Sequence, residues 1–190
     1  MKNSLHLFST VLLTLAFFTA TAAAQTVSWK QIVGIIPANT PVGTGSGIVP
    51  GGFAPWTATE GAARVNLRNG KIEFVVRGLV FAGGNTIGTP APITQVNGTL
   101  VCDANGSAGG NSVLVQTPSV PLTFTGDAFF SGKVGSIPSV CLTEPDLAFL
   151  IRATATASGP IPADKAPWIA NGAVLLRGHD RDRDHDHDGD

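Results

Sequence analysis

From residue 25 to residue 177 the chain holds seven carboxylates, Glu60, Glu73, Asp103, Asp127, Glu144, Asp146 and Asp164, and neither histidine nor tyrosine. All four histidines lie outside that stretch: His6 near the start, and His179, His185 and His187 at the end. Their placement removes Ser-His-Asp and Cys-His mechanisms, which need an imidazole to move the proton, and the commonest metal ligand as well. Acid chemistry is what remains. Glu144 and Asp146, in the text CLTEPDLAF, are the closest pair in sequence, and two carboxylates can hydrolyse a glycosidic bond. Pro145 between them and the nearby Cys141 favour instead a turn beside a disulfide, with Asp146 accepting hydrogen bonds from local backbone N–H groups. No catalytic residue is assigned, and the chain is not expected to be an enzyme. Trp29, Trp56 and Trp168 could stack on a flat ligand such as a sugar ring, but isolated tryptophans in a small domain are more often core or rim.

The last residues carry a second kind of chemistry. In Asp184-His185-Asp186-His187-Asp188-Gly189, Asp stands at positions 1, 3 and 5 and Gly at position 6 of an EF-hand calcium loop. The chain stops at Asp190, so the bidentate acid of position 12 is missing. His179, His185 and His187, interleaved with Asp184, Asp186 and Asp188, suit a borderline metal such as Zn²⁺ through neutral imidazole. The expectation is weak Zn or Ca binding in a disordered tail over 178–190, against the plainer reading of a solvated, solubilising segment. No other cofactor is expected.

Charge narrows the partners. The tail sums to −4 and the whole chain to −1, which leaves the central stretch close to neutral. That balance offers no electrostatic case for nucleic acid or an anionic membrane surface. A cell-surface or extracellular ligand is the partner class expected, because the N-terminus reads as a secretory leader. Lys2 precedes an apolar run from Leu5 to Phe18, and small residues end in an A-x-A pattern at Ala24. Cleavage after Ala24 is expected, with residues 1–24 as signal peptide and an extracellular or periplasmic product that keeps no transmembrane segment. In that oxidising setting Cys102 and Cys141, the only cysteines, should form one disulfide.

The elements that would position these groups are strands. Between residues 25 and 177 short β-branched or aromatic runs alternate with Gly, Pro, Asn and Ser clusters, and no long window shows helical periodicity. The spacing predicts an all-β domain over 25–177, a single antiparallel β-sandwich or partly open barrel with one disulfide. An outer-membrane barrel would need aromatic girdles, which a chain with no Tyr and three Trp lacks. Strands are expected at 28–36, 95–102, 112–116, 122–134 (interrupted near Gly126-Asp127), 147–155 and 168–176. Loops are expected at 37–55 and 83–92.

The clearest element runs from Ala62 to Gly78. Asn69-Gly70 suits a two-residue type I′ turn, which would set Arg68 opposite Lys71, Leu67 opposite Ile72, Val65 opposite Phe74 and Ala63 opposite Val76. One face then collects Ala63, Val65, Leu67, Ile72, Phe74 and Val76, and the other Asn66, Arg68, Lys71 and Glu73. Two more Asn-Gly pairs, 97–98 and 171–172, are candidate turns. Asn97-Gly98-Thr99 and Asn105-Gly106-Ser107 are also glycosylation tripeptides.

The text GAARVNLRNGKIEFVVRGL, residues 61–79, resembles the strand pair of CHRD-type secreted β domains, in which a Gly/Ala-rich strand turns into a second strand ending in Gly-Leu. The resemblance implies a secreted β-sandwich module without established catalysis. The family's downstream histidine motif has no counterpart in 80–92, so no site residue is carried over. The rest of the body resembles secreted bacterial proteins of unknown function. The leading reading is a non-catalytic binding or structural module. A metal-binding protein acting through its tail comes second, and a polysaccharide-active enzyme last.

Overall fold

The computed structural model describes residues 26–178, apart from residues 38 and 145. The expected leader and the tail with its candidate ligands His179, Asp184, His185, Asp186, His187 and Asp188 lie outside the described residues.

The chain is all-β, an antiparallel sheet curled into a half-barrel. Its strands are β1 (Thr26–Gly34), β2 (Trp56–Thr57), β3 (Glu60–Asn66), β4 (Lys71–Arg77), β5 (Val80–Phe81), β6 (Ile93–Cys102), β7 (Val113–Gln116), β8 (Val120–Pro121), β9 (Ala128–Lys133), β10 (Ala148–Thr156), β11 (Gly159–Pro160) and β12 (Trp168–Gly178), with one helical turn, α1 (Val140–Thr143). The sheet runs β7-β6-β10-β12-β1-β3-β4-β9, with β8 also on β6 and β11 on β10; β2 and β5 pair separately. β8 lies on the β6 side of the sheet and β9 on the β4 side, so the short segment 122–127 that joins them spans the open seam. Of the two arrangements the spacing allowed, this is the partly open barrel.

The apolar set on the central hairpin is buried as expected: Ala63, Val65, Leu67, Ile72, Phe74 and Val76 all belong to the core. The pairing is nevertheless shifted by two residues. Asn66 faces Lys71, Val65 faces Ile72 and Ala63 faces Phe74, so the loop is Leu67-Arg68-Asn69-Gly70 and not Asn69-Gly70 alone. The cause is local. The Asn66 side chain accepts the N–H groups of Arg68 and Asn69, each at 3.0 Å, and only Gly70 takes a positive φ, of 71°. A type I′ turn needs both central residues there. A shift of two keeps every side chain on its face, because the period of a strand is two.

The two further Asn-Gly pairs expected to turn hairpins do not turn. Asn97-Gly98 lies inside β6 and Asn171-Gly172 inside β12, both in continuous pairing. Their glycines make room for rings. A Cβ on Gly98 would sit 2.7 Å from Phe149 and 2.8 Å from Phe74, and one on Gly172 would sit 2.5 Å from Trp29. Those three aromatics form the centre of the core, with ring centroids 5.3 Å apart for Trp29–Phe149 and 6.0 Å for Phe74–Phe149. Glycine inside a strand marks a close approach of this kind.

Of the strand expected over 122–134 only β9, Ala128–Lys133, forms; residues 122–127 make a turn instead, with Gly126 at φ 82°. The 37–55 segment is no free loop. Val42 and Val49 bridge each other, Gly51 bridges Trp168, and the Trp168 indole N–H donates to the Thr40 carbonyl at 2.8 Å. It covers β12, and Val49 is wholly buried.

Cys102 ends β6 and Cys141 lies in α1. They are joined with Cα atoms 4.9 Å apart and stand 39 positions apart in sequence, and both are completely buried.

Candidate functional site

The disulfide brings together two loops that each carry acid. Asp103 directly follows Cys102, and Glu144 and Asp146 follow Cys141 by three and five residues. One carboxylate oxygen from each of the three lies within 4.8 Å of the others. Asp103 is only 1% exposed and takes φ 54°, a left-handed conformation that Asp tolerates. The Ser107 hydroxyl donates to its Oδ1 at 3.2 Å and the Ala108 N–H to its Oδ2 at 3.1 Å. The Ser112 hydroxyl donates to its carbonyl at 2.8 Å. The Asn105 N–H donates to Asp146 Oδ2 at 2.8 Å, while Asp146 Oδ1 is buried and accepts no hydrogen bond among the described residues. Ser107 also reaches Glu144 Oε2 at 3.4 Å. Clustered oxygens suit a hard cation such as Ca²⁺ better than proton transfer. Sequence reasoning paired Glu144 with Asp146 and missed Asp103. The signal was the disulfide itself, since each cysteine is followed within five residues by acid.

The remaining carboxylates are dispersed. Glu60 pairs with Arg77 at 3.0 Å and Glu73 with Lys71 at 2.7 Å, at the surface. Lys71, and then the Ser131 hydroxyl, hold the Glu73 carboxyl below its ordinary range. Asp127 is held low by the Gly78 N–H at 3.0 Å and by the Thr125 hydroxyl; it braces the turn across the seam. Asp164 is exposed. The tryptophans form no ligand platform: Trp29, Trp56 and Trp168 are all buried. Asn97 is 5% exposed inside a strand, which excludes it as a glycan acceptor in the folded chain, whereas Asn105 is exposed.

A second feature lies on β6, β7 and β10, and composition gave no hint of it. A cleft of about 570 Å³ is lined by Asn97, Gln116, Thr117, Ser119, Thr154 and Thr156, together with residues of the 159–166 segment. β10 carries a bulge between Ala153 and Ala155, which places Thr154 out of the regular ladder. Bulges of this kind re-aim side chains. Asn97 donates to Gln116 Oε1 at 3.2 Å and accepts from the Thr99 hydroxyl at 3.2 Å. Gly98 N–H donates to the Thr117 hydroxyl at 3.0 Å. The Thr154 hydroxyl is buried and makes no hydrogen bond among the described residues. Behind the wall stands Arg152, 2% exposed. Its Nε and Nη2 donate to the Ala166 carbonyl at 2.9 and 2.8 Å, and Nη2 to the Ala163 carbonyl at 2.6 Å. Burial pushes the guanidinium pKa below its ordinary value.

Among the described residues no helix is long and apolar enough to cross a membrane. Comparison with family models, with curated proteins and with solved structures finds no match.

Proposed function

We propose that the protein is a secreted, non-catalytic binding module whose ligand sits in the polar cleft between β6, β7 and β10. The observation that carries this reading is the cleft itself. Its volume is that of a small-molecule site, its lining mixes amide and hydroxyl side chains with Pro, Gly, Ala and Ile and includes no ionisable side chain, and the Thr154 hydroxyl has no partner among the described residues. A buried polar group is normally hydrogen-bonded, so a spare one in a cleft supports a polar ligand. The disulfide supports an oxidising compartment, in keeping with the leader. A screen of small polar compounds against the ¹⁵N-labelled protein should move the amide resonances of Asn97, Gln116, Thr117 and Thr154 together. Shifts scattered over the surface, or confined to another face, would sink the reading.

A divalent-cation protein is the second reading, favoured by the orphaned Asp146 Oδ1 among three convergent carboxylates. Calorimetric titration with Ca²⁺ should give heats with a dissociation constant on the order of 10⁻⁴ M, the range of extracellular modules. A chain ending at Gly178 should keep those heats, and Asp146→Asn should abolish them. Heats lost on truncation but kept in Asp146→Asn would place the metal on the tail histidines and aspartates instead.

A further inference from the structure

We propose that the cleft selects an anionic, hydroxyl-bearing ligand: a carboxylate flanked by hydroxyl groups, the chemistry shared by uronic-acid sugars and small hydroxy acids. This rests on the reading of the cleft as the ligand site and names what the site takes.

The charge is the first ground. Buried charges in proteins are normally paired, yet the ion pairs formed among the described residues are Lys71–Glu73 and Arg77–Glu60, and Arg152 is in neither. Its hydrogen bonds go to two backbone carbonyls, of Ala163 and Ala166, and both residues line the cleft. Arg152 also lies directly across the strand pair from Asn97. A full positive charge therefore stands one residue behind the wall, where low dielectric strengthens its field. The exposed neighbours Asp164 and Lys165 are of opposite sign, and no carboxylate lines the cleft to neutralise it.

The donors are the second ground. Gln116 uses Oε1 to accept from Asn97, which leaves its amide NH₂ without a bond among the described residues. The Thr154 hydroxyl is likewise uncommitted. Two neutral donors and a nearby guanidinium answer a carboxylate, and the side chains of Thr94, Gln95 and Ser119, which also line the cleft, answer hydroxyls. No aromatic ring lines the cleft, so selection here is polar and does not rest on stacking.

The test is calorimetry of the full chain with sodium galacturonate, sodium tartrate and glucose, repeated at high salt. At least one of the two acids should bind with a dissociation constant at least about tenfold below that of glucose, and added salt should weaken it. Galacturonate alone binding points to a sugar acid, and tartrate alone to a small hydroxy acid. Thr154→Val keeps the shape of the side chain and removes the hydroxyl, so it should fold and lose roughly tenfold in affinity for the acid. Arg152→Lys, which keeps the charge without the fork, should retain part of the binding if it folds. Glucose binding as tightly as either acid, an unchanged affinity in Thr154→Val, or no binding by either acid would overturn the inference. The compound screen decides separately whether the cleft is a ligand site at all.

Discussion

Replacing Phe74 with alanine should lower the unfolding free energy by roughly 3–5 kcal/mol, at the upper end of what one core truncation costs. The ring is 2% exposed and lies between Phe130 and Phe149, with centroids 6.1 and 6.0 Å away. Gly98 lies against it from β6, so near that a Cβ there would come within 2.8 Å of the ring. A glycine has no side chain to move into the vacated space, and the strands on both sides are fixed by ladders of hydrogen bonds. The cavity should therefore stay open, and cavity volume is what raises the cost above the transfer term. Guanidinium unfolding followed by fluorescence would read the change as a lower midpoint with an unchanged slope. A midpoint equal to that of the parent would mean that Phe74 is not in the core.

Removing the disulfide should cost about 4 kcal/mol, the chain-entropy value for a loop of this length. The double variant Cys102→Ala, Cys141→Ala tests it without leaving a lone thiol. That loss is a large part of the 5–15 kcal/mol by which domains are usually stable. The same bond holds together the loops that carry Asp103, Glu144 and Asp146, so Ca²⁺ heats should weaken in the double variant even where it remains folded. Titration of the unfolded, unreduced parent should find no free thiol, in line with the absence of free cysteines. A double variant within about 1 kcal/mol of the parent would show that the loops are held by packing, and that the entropic account does not apply here.

The central hairpin shows how far periodicity reaches. Alternation named the six buried residues of β3, β4 and their turn, because successive side chains on a strand point to opposite faces. It did not reveal the register, since a shift of two leaves the same faces in and out. Asn66 decided that, by binding two N–H groups of the turn with its own side chain. The Asn-Gly pairs make the same point. All read alike as turn chemistry, but only 69–70 and 105–106 lie in turns, and the glycines of 97–98 and 171–172 seat aromatic rings that arrive from distant strands.

The candidate sites divide in the same way. Cys102 and Cys141 were paired by number and compartment alone, and the all-β class followed from composition and the spacing of short runs. That Asp103 joins Glu144 and Asp146 depends on the disulfide closing a 39-residue separation. The cleft was invisible, because its polar lining is Asn, Gln, Thr and Ser among small apolar residues, which carry no motif and are common in any loop. Arg152 becomes notable only once β10 is known to be buried on both faces, with a charge held by two carbonyls. By itself, then, the sequence determined what is local: strand type, inward face and the partner of each cysteine. Register, the seats of the rings, the acidic corner and the cleft were decided by tertiary structure, because each depends on groups far apart in the chain that meet only when the sheet curls.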